Sequence, residues 1–260
     1  SFRPRLAALL NITPDHLDRH ASMREYIAAK ARLFGYQRGD DFAVFNADDP
    51  RCTALAPEVR AQRFWFSRHR RLDVGAYLED DWVAFADGAT RERVLERATI
   101  PLKGTHNLEN VLAAVCAARL LGVPGEAIRH AVAAFEGVEH RLEFVAEVDG
   151  VAFYNDSKAT NVDAALKAIS AFPGNLIVIL GGKDKGSDFR PLRAELRARA
   201  RCVLLIGAAR EKLAAQLRNG LPLEQMETLP EAVARAAQLA RPGDTVLLAP
   251  ACASFDQFEN

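Results

Sequence analysis

Asp156, Ser157, Lys158, Ala159, Thr160 and Asn161 follow directly on the apolar run 151–154. A carboxylate, an ammonium, two hydroxyls and an amide thus stand where a strand hands over to a helix pattern, and free backbone N–H groups there can meet an anion. Such a set suits a charged small molecule. The plainer alternative is that Asp156 or Ser157 merely caps the helix that follows. Four other segments carry comparable chemistry. In 11–20, Asp15, His16 and Asp18 bring oxygen and nitrogen ligands within two turns, enough to reach a divalent ion, although Thr13-Pro14 reads equally well as a cap and first turn. Lys30 falls on an apolar stripe with Met23, Tyr26, Ile27 and Phe34. Its ammonium either snorkels to water along its methylene stem or is desolvated, partly neutral and able to take up carbon dioxide as a carbamate, an oxygen-bearing anion suited to Mg²⁺. Asn107 and Asn110, three apart at a helix start, face the same way, and their amides both donate and accept, as an adenine edge requires. The glycine-rich turn 181–187 has neither G-x-G-x-x-G spacing nor a G-K-[ST] ending, yet Lys183 and Lys185 on it can hold a carboxylate by charge-assisted bonds.

The elements that must position these groups differ between the two halves. In the first, the spacing predicts a helix over 22–36 capped by Ser22, a strand over 42–45, small antiparallel strands between about 62 and 100 with a turn at Asp87-Gly88, and helices from Asn107 and over 125–135. In the second, a strand pair 143–148 and 151–155 turns at Asp149-Gly150. Strands 176–180, 202–206 and 245–249 then alternate with helices 162–172, 209–218 and 230–240. Continuous apolar strands separated by amphipathic helices indicate a parallel sheet covered on both faces, the open doubly wound class of α/β fold. Ligands in such sheets bind beyond the carboxyl ends of the strands, so 181–187 and 250–254 are expected to share a rim with 156–161. A change of texture at 137–141 marks the domain boundary.

Composition narrows the function classes. Hydrophobic residues make up 49% of the 260 and charged residues 26%, as in an ordinary soluble globular protein. Lys plus Arg and Asp plus Glu both total 34, and a chain without net basic charge is poorly suited to non-specific nucleic-acid binding. Four scattered cysteines with no C-x-x-C pair read as reduced structural thiols in a cytoplasm. No run approaches a membrane span, and the start at Ser1 reads as a chain entered midway.

Taken in order, the segments N-I-T-P-D-H-L-D-R-H (11–20), A-A-K ending at Lys30, N-A-D-D (46–49), K-G-T-H-N-L-E-N (103–110), E-H-R-L-E (139–143), N-D-S-K-A-T-N (155–161), G-G-K-D-K-G-S-D-F (181–189) and A-P-A-C-A-S-F-D-Q-F (249–258) resemble the Mur ligase family along essentially the whole chain. The D-S-K-A-T-N and C-A-S-x-D-Q-F segments resemble its D-glutamate-adding branch. The resemblance implies a partial central ATPase-type domain over 1–138, lacking the UDP-gripping domain and phosphate loop that precede it in the family, followed by a Rossmann-like doubly wound domain over 139–260. It also implies a fragment, inactive alone, of a monomeric cytoplasmic enzyme. In such an enzyme ATP phosphorylates the carboxylate of UDP-N-acetylmuramoyl-L-alanine, and the amine of D-glutamate displaces phosphate from the acyl phosphate. Cations and metal must neutralise the approach of carboxylate to γ-phosphate.

Carried over by motif, His16 and a carbamylated Lys30 would hold Mg²⁺, Asn107 and Asn110 would contact adenine with His140 beside it, and Arg141 would reach the phosphates. Asp156 and Lys158 would hold the ribose side, while Thr160, Lys185 and Ser254 would bind D-glutamate. A sister ligase adding another amino acid, a non-catalytic amino-acid or nucleotide module, and a dehydrogenase remain as alternatives. The last lacks its glycine fingerprint.

Overall fold

The computed structural model describes residues 2–13, 22–218 and 220–258. The chain is α/β and divides into two compact units, residues 1–136 and 137–260, each built on its own six-stranded sheet.

In the first unit the sheet runs β1 (Leu6–Leu9), β2 (Phe42–Asn46), β3 (Gln62–Ser67), β4 (Val74–Glu79), β5 (Trp82–Asp87), β6 (Arg91–Glu96) in spatial order. Alternate side chains along a strand face opposite ways, and the cores follow that rule. Val44 and Phe66 pack with Leu108, Leu112 and Val115 of α3 (Thr105–Leu120). Ala43 and Phe45 pack with Cys52 and Leu55 of α2 (Pro50–Leu55) and with Met23, Tyr26 and Ile27 of α1 (Met23–Ala31). Ser22 caps α1 by accepting from the Glu25 N–H, and α4 (Gly125–Ala133) begins after Pro124.

The expectation of antiparallel strands across 62–100 holds only from β4 onward: β3 lies parallel to both β2 and β4. The crossover through α2 returns the chain to the starting edge of the sheet, and a returning strand must run parallel. The link 68–73 can be short because β3 and β4 share only the pairs Trp65–Gly75, Phe66–Ala76 and Ser67–Tyr77.

In the second unit, β7 (Glu143–Val148) and β8 (Val151–Asn155) form the hairpin. Then come α5 (Val162–Ser170), β9 (Leu176–Gly181), α6 (Leu192–Arg199), β10 (Ala200–Ile206), α7 (Arg210–Leu217), β11 (Leu223–Gln225), α8 (Leu229–Leu239) and β12 (Thr245–Leu248). The order β11-β10-β9-β12-β8-β7 is parallel throughout except at the β7 edge. One face of β9, through Leu176, Val178 and Leu180, meets α5, α6 and α7; the other, through Ile177 and Ile179, meets Ala232 and Ala236 of α8. Helices on both faces explain why every residue of β9 is buried. Neither Asp156 nor Ser157 caps α5. That role belongs to Asn161, whose Oδ1 accepts from the Ala164 N–H at 2.9 Å, so the carboxylate and hydroxyl upstream are not spent on helix capping. Among the described residues no helix is long and apolar enough to cross a membrane.

Candidate functional site

Because β8, β9 and β12 are parallel neighbours, their carboxyl ends share one side of the sheet, and the three segments leaving them are stitched together by main-chain bonds. Asp156 N donates to Leu248 O at 2.8 Å, Gly181 N to Pro250 O at 2.8 Å and Ala251 N to Ala159 O at 2.8 Å. Lys183 and Ala253 form an isolated antiparallel bridge, donating to each other's carbonyls at 2.7 and 3.1 Å. The close approach of this bridge requires glycine: at Gly182 (φ +132°) a Cβ would stand 2.3 Å from Ala253 O. Between the segments lies a cleft of about 530 Å³, on whose wall are His140, Ser157, Lys158, Thr160, Gly182 and Ser254.

Thr160 is half-buried, while Lys158 and Ser254 are exposed. Lys185 is exposed and does not line the cleft, but its charge acts on the thiol of Cys252, which does. Burial pushes that thiol up to about 12, so it is no nucleophile at neutral pH. Arg141 is likewise exposed off the wall.

Asp156 is 8% exposed. Burial pushes its carboxyl up to about 6, against a hydrogen bond from the Leu142 N–H and the charge of Arg141. Near neutral pH it is therefore largely ionised at an energetic cost, which suits a carboxylate kept to accept hydrogen bonds from a ligand's hydroxyls. The turn that carries His140 and Arg141 is backed by two residues that the sequence did not single out. Asn155 Nδ2 lies 2.9 Å from His140 Nδ1 and donates to Glu143 Oε2 at 3.2 Å, and its Oδ1 accepts from the Ser157 N–H at 3.0 Å. Glu143 Oε2 also accepts from the His140 N–H at 2.8 Å, where φ is +67°. A signal was present, since both residues stand inside the matched motifs, facing each other across the β7–β8 hairpin.

In the first unit, Asn110 Nδ2 donates to Asn107 Oδ1 at 3.3 Å, and Asn107 Nδ2 to Lys103 O at 2.7 Å. Among the described residues each amide keeps one further hydrogen, and Asn110 keeps its carbonyl, so the pair still offers a donor and acceptor edge. Lys30 sits as the snorkelling alternative expects. It is half-buried, α1 buries none of its residues fully, and Nζ lies 5.0 Å from the centroid of the Tyr26 ring. The other expected ligand, His16, lies outside the described residues with Asp15 and Asp18. Among the described residues no three His, Cys, Asp or Glu side chains converge, and an amine offers no oxygen to a hard cation. As they stand, the described side chains do not form a magnesium site.

Residues 1–118 match the Mur ligase middle domain, and residues 140–252 the Mur ligase, glutamate ligase domain. The chain is 57% identical over 261 residues to the UDP-N-acetylmuramoylalanine–D-glutamate ligase of Acidobacterium capsulatum, covering all of this chain and 57% of that protein. It is 53% identical over 260 residues to the protein of the same name from Solibacter usitatus, again along its full length and 58% of the relative. The chain thus spans less than two thirds of these relatives. Among solved structures, MurF from Acinetobacter baumannii superimposes with a TM-score of 0.73 at 20% identity, covering 98% of this chain and 58% of that one. MurF ligase from Thermotoga maritima, solved in complex with ADP, gives 0.70 at 20% identity, covering 95% and 58%. At such identities the likeness concerns the fold.

Proposed function

Since this chain belongs to the Mur ligase family, we propose that it contributes the central ATP-binding domain (1–138) and the amino-acid-binding domain (139–260) of a cytoplasmic, monomeric, ATP-dependent D-glutamate ligase. The reaction joins D-glutamate to UDP-N-acetylmuramoyl-L-alanine. ATP passes its γ-phosphoryl group to the substrate carboxylate, leaving ADP. The D-glutamate amine then attacks the acyl phosphate, an amide bond forms, and phosphate and a proton leave. The names of the relatives at 57% and 53% identity support the choice of amino acid, and four buried free thiols suit a reducing compartment.

The observation that carries the reading is the cleft at the carboxyl ends of β8, β9 and β12. There the Lys158 ammonium and the hydroxyls of Ser157, Thr160 and Ser254 share one wall, with the backbone of Gly181 and Gly182 between them, groups that a dicarboxylic amino acid can use. Thr160, Lys185 and Ser254 take the carboxylates of D-glutamate. Asp156, ionised near neutral pH, accepts from ribose hydroxyls while Lys158 offsets its charge. His140 lies beside the base, and Arg141 uses its planar fork on phosphate oxygens. In the first unit the free edge of Asn107 and Asn110 meets adenine. Magnesium on His16 and a carbamylated Lys30 belongs to the same proposal, its chemistry being to screen the two anions as they meet; it needs its own test.

The full-length enzyme is expected to form ADP only when both UDP-N-acetylmuramoyl-L-alanine and D-glutamate are present. Lys185→Met should raise KM for D-glutamate and leave KM for ATP in place. ADP formation with L-glutamate or diaminopimelate but not D-glutamate would move the chain to a sister branch, and none with any amino acid would remove the ligase reading.

A further inference from the structure

The loop 181–187 sets Asp184 between two lysines, Lys183 and Lys185. A carboxylate beside an ammonium that must bind a substrate carboxylate is a competitor for it, and a loop is supple enough to let the two meet. The structure resolves the competition from outside the loop. Asp184 Oδ2 accepts from Lys212 Nζ of α7 at 2.6 Å, and Oδ1 from the Ser187 N–H at 2.8 Å. The pair is sheltered, its side chains being 19% and 39% exposed for Asp184 and Lys212. Burial alone would raise the Asp184 carboxyl, but the Lys212 and Ser187 bonds hold it below the usual carboxylate range.

Lys212 is held in turn. Its ammonium stands 5.5 Å from the centroid of the Phe189 ring, and its neighbours Leu213 and Ala214 are buried. Ala209 N, at the start of α7, donates to Gly182 O at 2.9 Å, and Phe189 N to Gln216 Oε1 at 2.7 Å. Helix α7 and the segment 182–189 are therefore joined at three points. Both oxygens of Asp184 are engaged, Oδ2 by Lys212 of α7 and Oδ1 by the loop's own Ser187 N–H, while among the described residues Lys185 forms no hydrogen bond or ion pair, and its charge is felt at Cys252 on the cleft wall.

We propose that Lys212 is a positioning residue for the acidic amino acid: by occupying Asp184 it keeps the Lys185 ammonium free for a substrate carboxylate. The inference rests on the reading of Lys185 as a D-glutamate ligand, and its test separates the two. In the full-length enzyme, Lys212→Met releases Asp184 to pair with Lys185, so KM for D-glutamate rises about three- to fivefold, the upper scale of one exposed charge pair, while kcat and KM for ATP stay within about twofold. Adding Asp184→Asn to that variant removes the competitor and recovers most of the loss. Lys212→Arg, which keeps the pair, behaves as wild type, and Lys212→Gln, which can donate without charge, falls between.

An unaltered KM for D-glutamate in Lys212→Met overturns the proposal. So does an equal loss in kcat and in KM for ATP, which is the mark of a merely structural residue, or a failure of Asp184→Asn to restore binding. A second readout needs no turnover: acylation of Lys185 by an amine-reactive reagent, mapped by mass spectrometry, slows in Lys212→Met and recovers in the double variant. If the wild type shows no D-glutamate dependence but the acylation pattern holds, the ligase reading fails while the charge partition stands. If the acylation rate does not change, the partition itself is refuted.

Discussion

Replacing Asp156 by asparagine is expected to stabilise the second unit near neutral pH and to have little effect in acid. The carboxyl is 8% exposed and titrates near 6 in the folded protein, against 3.8 for an unperturbed aspartate. Between those values the native state holds a proton that the unfolded chain has released, so stability falls as the pH rises. The contribution is fully present below about pH 4 and is lost as the pH climbs through about 6. At about 1.4 kcal/mol per pH unit, the span corresponds to about 3 kcal/mol, an upper bound because the site relaxes around a buried charge. Asparagine has nearly the same shape, can still accept from the Leu142 N–H and never ionises. Any constant difference between the two proteins is irrelevant, since only the pH-dependent part belongs to the carboxyl.

Urea titrations followed by far-ultraviolet circular dichroism from about pH 4 to pH 8 measure that difference. Both tryptophans, Trp65 and Trp82, lie in the first unit, so their fluorescence reports on a unit that lacks Asp156 and serves as an internal control. Wild type should lose stability relative to Asp156→Asn through the window from about 4 to 6, in the dichroism signal only. Parallel profiles at every pH would refute the assignment of a costly, buried carboxylate. The same variant should bind ADP more weakly at neutral pH, because an amide is a poorer acceptor for ribose hydroxyls than a carboxylate. Greater stability with poorer binding is the trade expected of a functional group retained against its own folding cost.

Three further outcomes follow from the geometry. Gly182→Ala forces a Cβ to within 2.3 Å of Ala253 O at φ +132° and should destabilise the second unit by about 1–3 kcal/mol, lowering the denaturant midpoint and weakening D-glutamate binding together as the Lys183–Ala253 bridge opens. Thr228→Ala removes the hydroxyl that accepts from the Glu231 N–H in the capping box of α8 and should cost about 1 kcal/mol, read as a lower urea midpoint. Incubation of the full-length enzyme with ¹³C-bicarbonate should give a carbamate resonance that disappears in Lys30→Ala. A spectrum without that resonance would leave Lys30 as the cation over Tyr26.

How much of this was readable beforehand varied with how local the cause was. Strand β9 was legible because a strand buried on both faces needs an unbroken apolar run, and the direction it shares with the apolar runs of β8 and β12 placed the polar segments at 156–161, 181–187 and 250–254 on one rim. Helix α6 was missed because only Leu192 and Leu196 face the core, a single apolar pair in a segment otherwise rich in arginine. The pairing of Glu143 with Asn155 was hidden for a more instructive reason. Counting outward from the Asp149-Gly150 turn in strict register brings Phe144 opposite Asn155, but a bulge at Val145 shifts the ladder by one, so Glu143 takes that place. One extra residue thus moves a carboxylate from beyond the end of the ladder to the turn that holds His140. The Asp184–Lys212 pair lies further still from view, since its partners are 28 residues apart and meet only because β10 and β9 are neighbours. The segment 181–187 read alone holds no sign of this contact; the parallel order of β9 and β10 is what brings α7 to the carboxylate.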